Sequence, residues 1–243
     1  MNVVDLPAPR PGLRERLLDR VALSALASRQ FVTVRWQREP TERPAPGVEV
    51  RTLYQAGAGS HRPGEPLRVR LIELAAGACW DARLAARHGE WLLMRGAAHL
   101  GPLVLQQRDY HRADGAAVLS SEQGALVYLR ESAPRGEPAL TRRDADGGWD
   151  DFAPGIRRRL LSHIDGEAAM LYRAAPGAAV PRHGHRHDEE CLMLEGELFL
   201  DDLLLRRGDY QIAPAGTAHG AVLAETDVLL FAHGDIELDI LTA

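Results

Sequence analysis

Gly177-Ala-Ala-Val-Pro-Arg-His183-Gly-His185-Arg-His-Asp-Glu189-Glu-Cys-Leu-Met-Leu-Glu-Gly196 bears the densest signal in this chain. It is read together with Gly208-Asp-Tyr-Gln-Ile-Ala-Pro214-Ala-Gly216-Thr-Ala-His219 downstream. His183 and His185 stand two apart, so on a β-strand both side chains leave the same face. Glu189 follows a short turn-like run and opens the apolar strand Cys191-Leu-Met-Leu. Glu195-Gly196 signals a hairpin, and Pro214-Ala-Gly216 turns the chain just before His219. Three imidazoles and one carboxylate form a ligand set for a divalent metal. An octahedral ion held this way keeps about two positions open for water or substrate.

Working outward, the chain repeats itself. Leu71-Ile-Glu-Leu-Ala-Ala-Gly77 matches Leu171-Tyr-Arg-Ala-Ala-Pro-Gly177, and Glu90-Trp-Leu-Leu-Met-Arg-Gly96 matches Glu190-Cys-Leu-Met-Leu-Glu-Gly196. Val104-Leu-Gln-Gln-Arg-Asp-Tyr110 matches Leu204-Leu-Arg-Arg-Gly-Asp-Tyr210, so all three pairs share an offset of 100 residues. Leu126-Val-Tyr-Leu further resembles Leu229-Leu-Phe-Ala. Collinear matches at a nearly constant offset predict two homologous units, at residues 31–132 and 149–243, joined by a Pro-, Gly- and charge-rich linker at 133–148. Short apolar runs punctuated by Gly, Pro and Asp predict many short strands in each unit. Ahead of them, residues 1–30 read as a helical segment, with Pro11 at its start and Leu13, Leu17, Val21 and Leu26 as an apolar stripe.

Two motifs now carry a family resemblance. Gly177, His183, His185, Glu189 and Gly196 fit the first cupin motif at every spacing. Gly208, Pro214, Gly216 and His219 fit the second. The chain therefore resembles a bicupin of the cupin (RmlC-like jelly-roll) superfamily. This implies an all-β fold of two tandem jelly-roll barrels after a short N-terminal helix. It also implies that His183, His185, Glu189 and His219 bind one metal ion in the C-terminal barrel. Zn, Fe, Mn, Ni and Cu all suit this set, with Zn or Fe favoured.

The Arg-Glu-Arg-Leu-Leu helix, Glu189-Glu190 and Leu-Glu-Gly-Glu are similar to the cupin region of ChrR-type anti-sigma factors. Those regulators carry an N-terminal sigma-binding module with a His/Cys zinc site. Here no His precedes His61 and no Cys precedes Cys79, so that module is expected to be absent. The first unit lacks the ligands: Arg83, Ala85 and Gly89 stand where His183, His185 and Glu189 stand, and Val118 falls near the position of His219. It is expected to be a structural partner. A metal-free anion pocket at Arg83 and Arg87 is the alternative.

Nearby residues have blander readings. His187 shares parity with His185 but lies in the turn, and Glu190 points opposite to Glu189. Cys191 and Met193 follow Glu189 inward, with Tyr172, Tyr210 and Phe231 as candidates on neighbouring strands. Cys191 reads as a buried thiol, with redox sensing as the minority reading. His233 reads as a solvated strand-end residue, with support of the metal site as the second reading. Arg157-Arg-Arg159 reads as a solvated strand end.

Composition bounds the rest. The 243 residues carry a net charge of −5, which gives no support for nucleic-acid or membrane partners. All 29 basic residues are arginine, which excludes lysine chemistry. Cys79 and Cys191 fall one in each unit, against a disulfide framework. With no apolar signal core at the N-terminus, the expected location is the cytoplasm. Three functions compete: a dioxygenase-like metalloenzyme acting on a small molecule, a sensing module with a protein partner, and a purely structural metal site. A homodimer is left open.

Overall fold

In a computed structural model, the described residues are 31–57, 66–81, 87–115 and 118–241, with Gly12, Arg14 and Leu18 as isolated positions. The expected N-terminal helix therefore lies almost wholly outside the described residues, as do His61, Arg83 and Ala85. What remains is all-β, as expected.

Two large sheets dominate, and their strand orders correspond. One runs Val32–Arg35, Asp209–Ala213, Glu189–Glu195, Val228–Asp235, Glu167–Ala174, Ile156–Ile164, Asp150–Ala153. The other runs Leu140–Arg142, Tyr110–Asp114, His88–Leu100, Ala125–Ser132, Arg68–Leu74, Val48–Gln55, Glu42–Ala45. Smaller sheets close each unit into a barrel-like sandwich. Equivalent contacts recur in both halves. Arg108 N–H donates to the Leu93 carbonyl and Gly208 N–H to the Met193 carbonyl, both at 2.7 Å. Arg108 holds the left-handed φ of 68° where its counterpart Gly208 has 85°. Duplication is thus written in the backbone as well as in the residues.

The strand pairing crosses the boundaries expected from sequence. Val32–Arg35, from the start of the first half, pairs with Asp209–Ala213 of the second. Leu140–Arg142, from the expected linker, pairs with Tyr110–Asp114 of the first. Each exchanged strand is pinned by an equivalent ion pair. Arg35 binds Asp209 and donates to the Leu204 carbonyl at 2.7 Å. Arg143 binds Asp109 at 2.8 Å and also reaches the Val104 carbonyl.

The two large sheets face each other, so their central strands are buried on both sides and read as nearly continuous apolar runs. In Glu189–Glu195, Met193 points into its own barrel, while Leu192 and Leu194 pack on the partner barrel. In the first half Trp91 and Leu93 fill the barrel, and Leu92 and Met94 take the shared face. Tyr210 and Phe231 belong to that shared face, not to the C-terminal barrel interior.

A polar knot sits inside this shared face. Arg130 donates to Glu90 at 3.0 Å and to Glu190 at 2.8 Å. Tyr110 donates to Glu90 at 2.6 Å and Tyr210 to Glu190 at 2.9 Å. His233 Nε2 lies 3.3 Å from Glu90, with the imidazole buried. His233 is therefore neither solvated nor beside the metal-ligand candidates. It occupies the position that Arg130 holds in the other half. Arg159, expected in solvent, is also buried and reaches the Arg143 carbonyl and Asp144.

Candidate metal centre

His183 and His219 are direct cross-strand partners in a small three-stranded sheet. His183 donates from Nδ1 to the Pro181 carbonyl at 3.0 Å, which leaves Nε2 as its free donor atom. The strand ends at Gly184, so His185 is not held by strand parity as expected. Instead its N–H donates to the Thr217 carbonyl at 3.0 Å, and its carbonyl accepts from Gly216 at 2.7 Å. The Pro214–Thr217 turn thus orients His185. Glu189 opens the strand Glu189–Glu195 and projects inward.

These four side chains meet. His183, His185 and Glu189 offer donor atoms all within 4.8 Å of one another, the one such cluster among the described residues. Glu189 Oε2 lies 3.8 Å from His183 Nε2, 3.6 Å from His185 Nδ1 and 3.2 Å from His219 Nε2. Donors bound to one ion at 2.0–2.2 Å stand roughly 3–3.5 Å apart, so little contraction is needed. His185 Nε2 and His219 Nδ1 are buried without a hydrogen-bond partner. The nitrogens nearest Glu189 are the other ones, His185 Nδ1 and His219 Nε2, and with His183 Nε2 they leave three imidazole donors around one carboxylate. The donor set therefore fits a divalent ion.

Electrostatics agree. Burial would raise Glu189, but the three imidazoles outweigh it and hold the carboxyl well below its ordinary range. Burial pushes His185 down to about 4, so its ring is neutral and its lone pair free at neutral pH. For His183 burial also opposes the charged form, but Glu189 overrides it and holds the ring up.

The neighbouring candidates separate cleanly. His187 pairs with Asp235 at 2.6 Å, outside the cluster, and Asp235 also accepts from the Arg186 N–H at 2.6 Å. Glu190 faces the partner barrel. Tyr172 and Cys191 line a cavity that reaches His183 and Glu189, of about 60 Å³, walled by residues such as Val180, Leu198, Leu200, Val222 and Leu230. Burial, then Glu189 and Glu190, push the Cys191 thiol well up, which argues against a reactive thiolate there. Phe31 was not foreseen: its ring meets His219 edge-on at 4.8 Å. It precedes the exchanged strand, and no spacing rule links it to a histidine so far along the chain.

Residues 139–237 match the family described as the ChrR cupin-like domain. Over that stretch, which holds all four candidate ligands, the chain resembles a cupin domain. No curated protein sequence matches this chain. Solved structures do. A candidate glyoxylate-induced protein of Pseudomonas aeruginosa has a TM-score of 0.69 at 13% identity, covering 88% of this chain and 92% of its own. A candidate dioxygenase of Nostoc punctiforme scores 0.66 at 13% identity, covering 88% of each chain. Lactobacillus farciminis oxalate decarboxylase scores 0.65 at 10% identity, covering 86% of this chain and 87% of its own. At such identities the likeness speaks for fold alone. Among the described residues, no helix is long and apolar enough to cross a membrane.

Proposed function

We propose that the C-terminal barrel is a mononuclear metal centre that binds and transforms a small organic molecule, in the manner of a dioxygenase-like metalloenzyme. His183, His185, Glu189 and His219 would hold the ion. The observation that carries this reading is their convergence beside a partly open apolar cavity, which His183 and Glu189 line. A closed structural site would need no such space.

The ion supplies Lewis acidity toward an oxygen of the ligand, and a redox-active ion adds electron transfer. The protein does the rest. Glu189 offsets the ionic charge. The apolar wall excludes water from the ligand. Tyr172 hydroxyl donates to the Met170 sulfur at 3.3 Å, a weak partner, and Arg158 hydrogen-bonds the same hydroxyl. Manganese, one of the candidates with Zn, Fe, Ni and Cu, is the ion named for the Bacillus subtilis oxalate decarboxylase among the structural neighbours.

One observation favours a second reading. The match to the ChrR cupin-like domain covers the metal-site half, which supports a sensing role with a protein partner.

Metal analysis of purified protein tests the site. His185→Ala and His219→Ala should each lose most of the metal, while His187→Ala, whose ring pairs with Asp235, should keep it. Equal content in all three would refute the assignment. Oxygen uptake by the iron-loaded protein, dependent on an added diketone or carboxylic acid, would select the oxygenase over the sensor.

A further inference from the structure

The cavity beside the candidate ligands is partly open, and a fixed cation stands behind its wall. Phe152, Tyr172 and Leu238 belong to the lining, together with His183 and Glu189. Arg158 is the direct cross-strand partner of Tyr172, and its guanidinium hydrogen-bonds the Tyr172 hydroxyl. The same guanidinium lies over the Phe152 ring at 4.9 Å and donates from Nη1 to the Ile236 carbonyl at 2.5 Å. Phe152 in turn meets Tyr172 edge-on at 5.2 Å. Three contacts thus hold the Arg158 head in place. Its nearest acidic group, Glu237, is exposed and 4.0 Å away, so it offsets little of the charge.

The direction of the hydrogen bond matters. A guanidinium has no acceptor, so Arg158 donates and the Tyr172 oxygen accepts. The hydroxyl hydrogen remains available. It is spent on the Met170 sulfur at 3.3 Å, a weak acceptor that an anionic oxygen would displace. Tyr172 is therefore a donor backed by a cation, in a wall whose other polar side chains are Cys191 and two metal-ligand candidates.

We propose that Tyr172 and Arg158 form a carboxylate-recognition pair, and that the ligand is an organic acid with a second oxygen function, such as an oxo acid, rather than a neutral diketone. This rests on the metal-centre reading above. The carboxylate accepts from Tyr172, and the guanidinium one hydrogen bond behind balances its charge. The second oxygen is left for the ion. Tyr172 touches the ligand, and Arg158 is a positioning residue that acts through it.

Calorimetric titration of the zinc-loaded full chain at pH 7 tests this, with zinc content measured in the same samples. The probes are pyruvate against butane-2,3-dione and 4-oxopentanoate against hexane-2,5-dione. In each pair a methyl replaces one carboxylate oxygen, at two spans between the functions. In at least one pair the acid should bind about tenfold or more tightly than the diketone. Arg158→Gln and Tyr172→Phe should each cut that preference about tenfold, with diketone binding and zinc content unchanged. Arg158→Lys, which keeps the charge, should recover part of it. Tyr172→Phe reads the same pair should an Arg158 variant fail to fold. Full zinc with a preference that neither variant lowers would mean that the ion alone takes the carboxylate, and overturns the pair. Full zinc with diketones equal to acids, or with no binding of either, overturns the ligand class and leaves the metal centre standing. Failure of the parent chain to hold zinc overturns the metal centre, and the ligand class with it.

Discussion

Replacing Arg130 by Met keeps most of the side-chain volume and removes the guanidinium that joins Glu90 to Glu190. Arg130, Glu90 and Glu190 are all buried, at 1%, 4% and 1% exposure, so solvent cannot take over from the lost charge. Breaking a buried pair from one side costs about 3–5 kcal/mol, because the partner charge stays behind uncompensated. For a chain of this size each kcal/mol shifts Tm by about 2–4 °C, so the loss should be roughly 6–20 °C at pH 7. The pH dependence gives a second check. Burial would raise Glu90, but His233, Arg130 and Tyr110 outweigh it and hold it well below its ordinary 4.5. A depressed carboxyl contributes stability that is present above the unfolded value and lost as pH falls below it. Removing Arg130 removes part of that contribution, so the gap between parent and variant should narrow as pH falls through 4.5 and below. Glu190→Gln in the Arg130→Met background should recover part of the loss. Differential scanning calorimetry across pH measures all three. A variant within about 2 °C of the parent at pH 7, or a gap that widens on acidification, would show that the knot is not a charge-balanced unit.

Two further outcomes follow from the backbone and the thiols. Gly196→Ala should cost about 2–4 kcal/mol by denaturant titration, since its Cβ would lie 2.1 Å from the Asp227 carbonyl oxygen at a φ of 84°. Gly177→Ala, at a φ of 79° with nothing within 4 Å, should cost only the conformational share of about 1–2 kcal/mol. With iodoacetamide at pH 8, exposed Cys79 should label freely, and buried Cys191 at least about a hundredfold more slowly. Comparable rates, read by peptide mass spectrometry, would mean that the cavity admits reagent and that the thiol ionises.

The candidate centre was legible because its residues lie close in sequence and its turns announce themselves. Spacing alone brought His183, His185, Glu189 and His219 to one point, although His185 is held by the Pro214–Thr217 turn rather than by strand alternation. Alternation also placed Glu190 away from the barrel interior. It could not say what that outer face packs against. Glu190 therefore read only as pointing away and His233 as solvated, when a second sheet covers both. Phe31, at the end of an exchanged strand, was invisible for the same reason: long-range pairing leaves no local pattern.

That exchange has a consequence for anyone wishing to isolate the candidate centre. A fragment starting near residue 149 would carry the four candidate ligands yet lack Val32–Arg35. Its sheet would end at Asp209–Ala213, with bare N–H and C=O groups along an apolar edge, an invitation to stick to its neighbours. Asp209 would lose Arg35, and His219 would lose the ring of Phe31. A first-half fragment cut at residue 132 would lack Leu140–Arg142 and be open in the same way along Tyr110–Asp114. Covalent order and spatial order disagree in this molecule, so the smallest self-sufficient piece is both halves together.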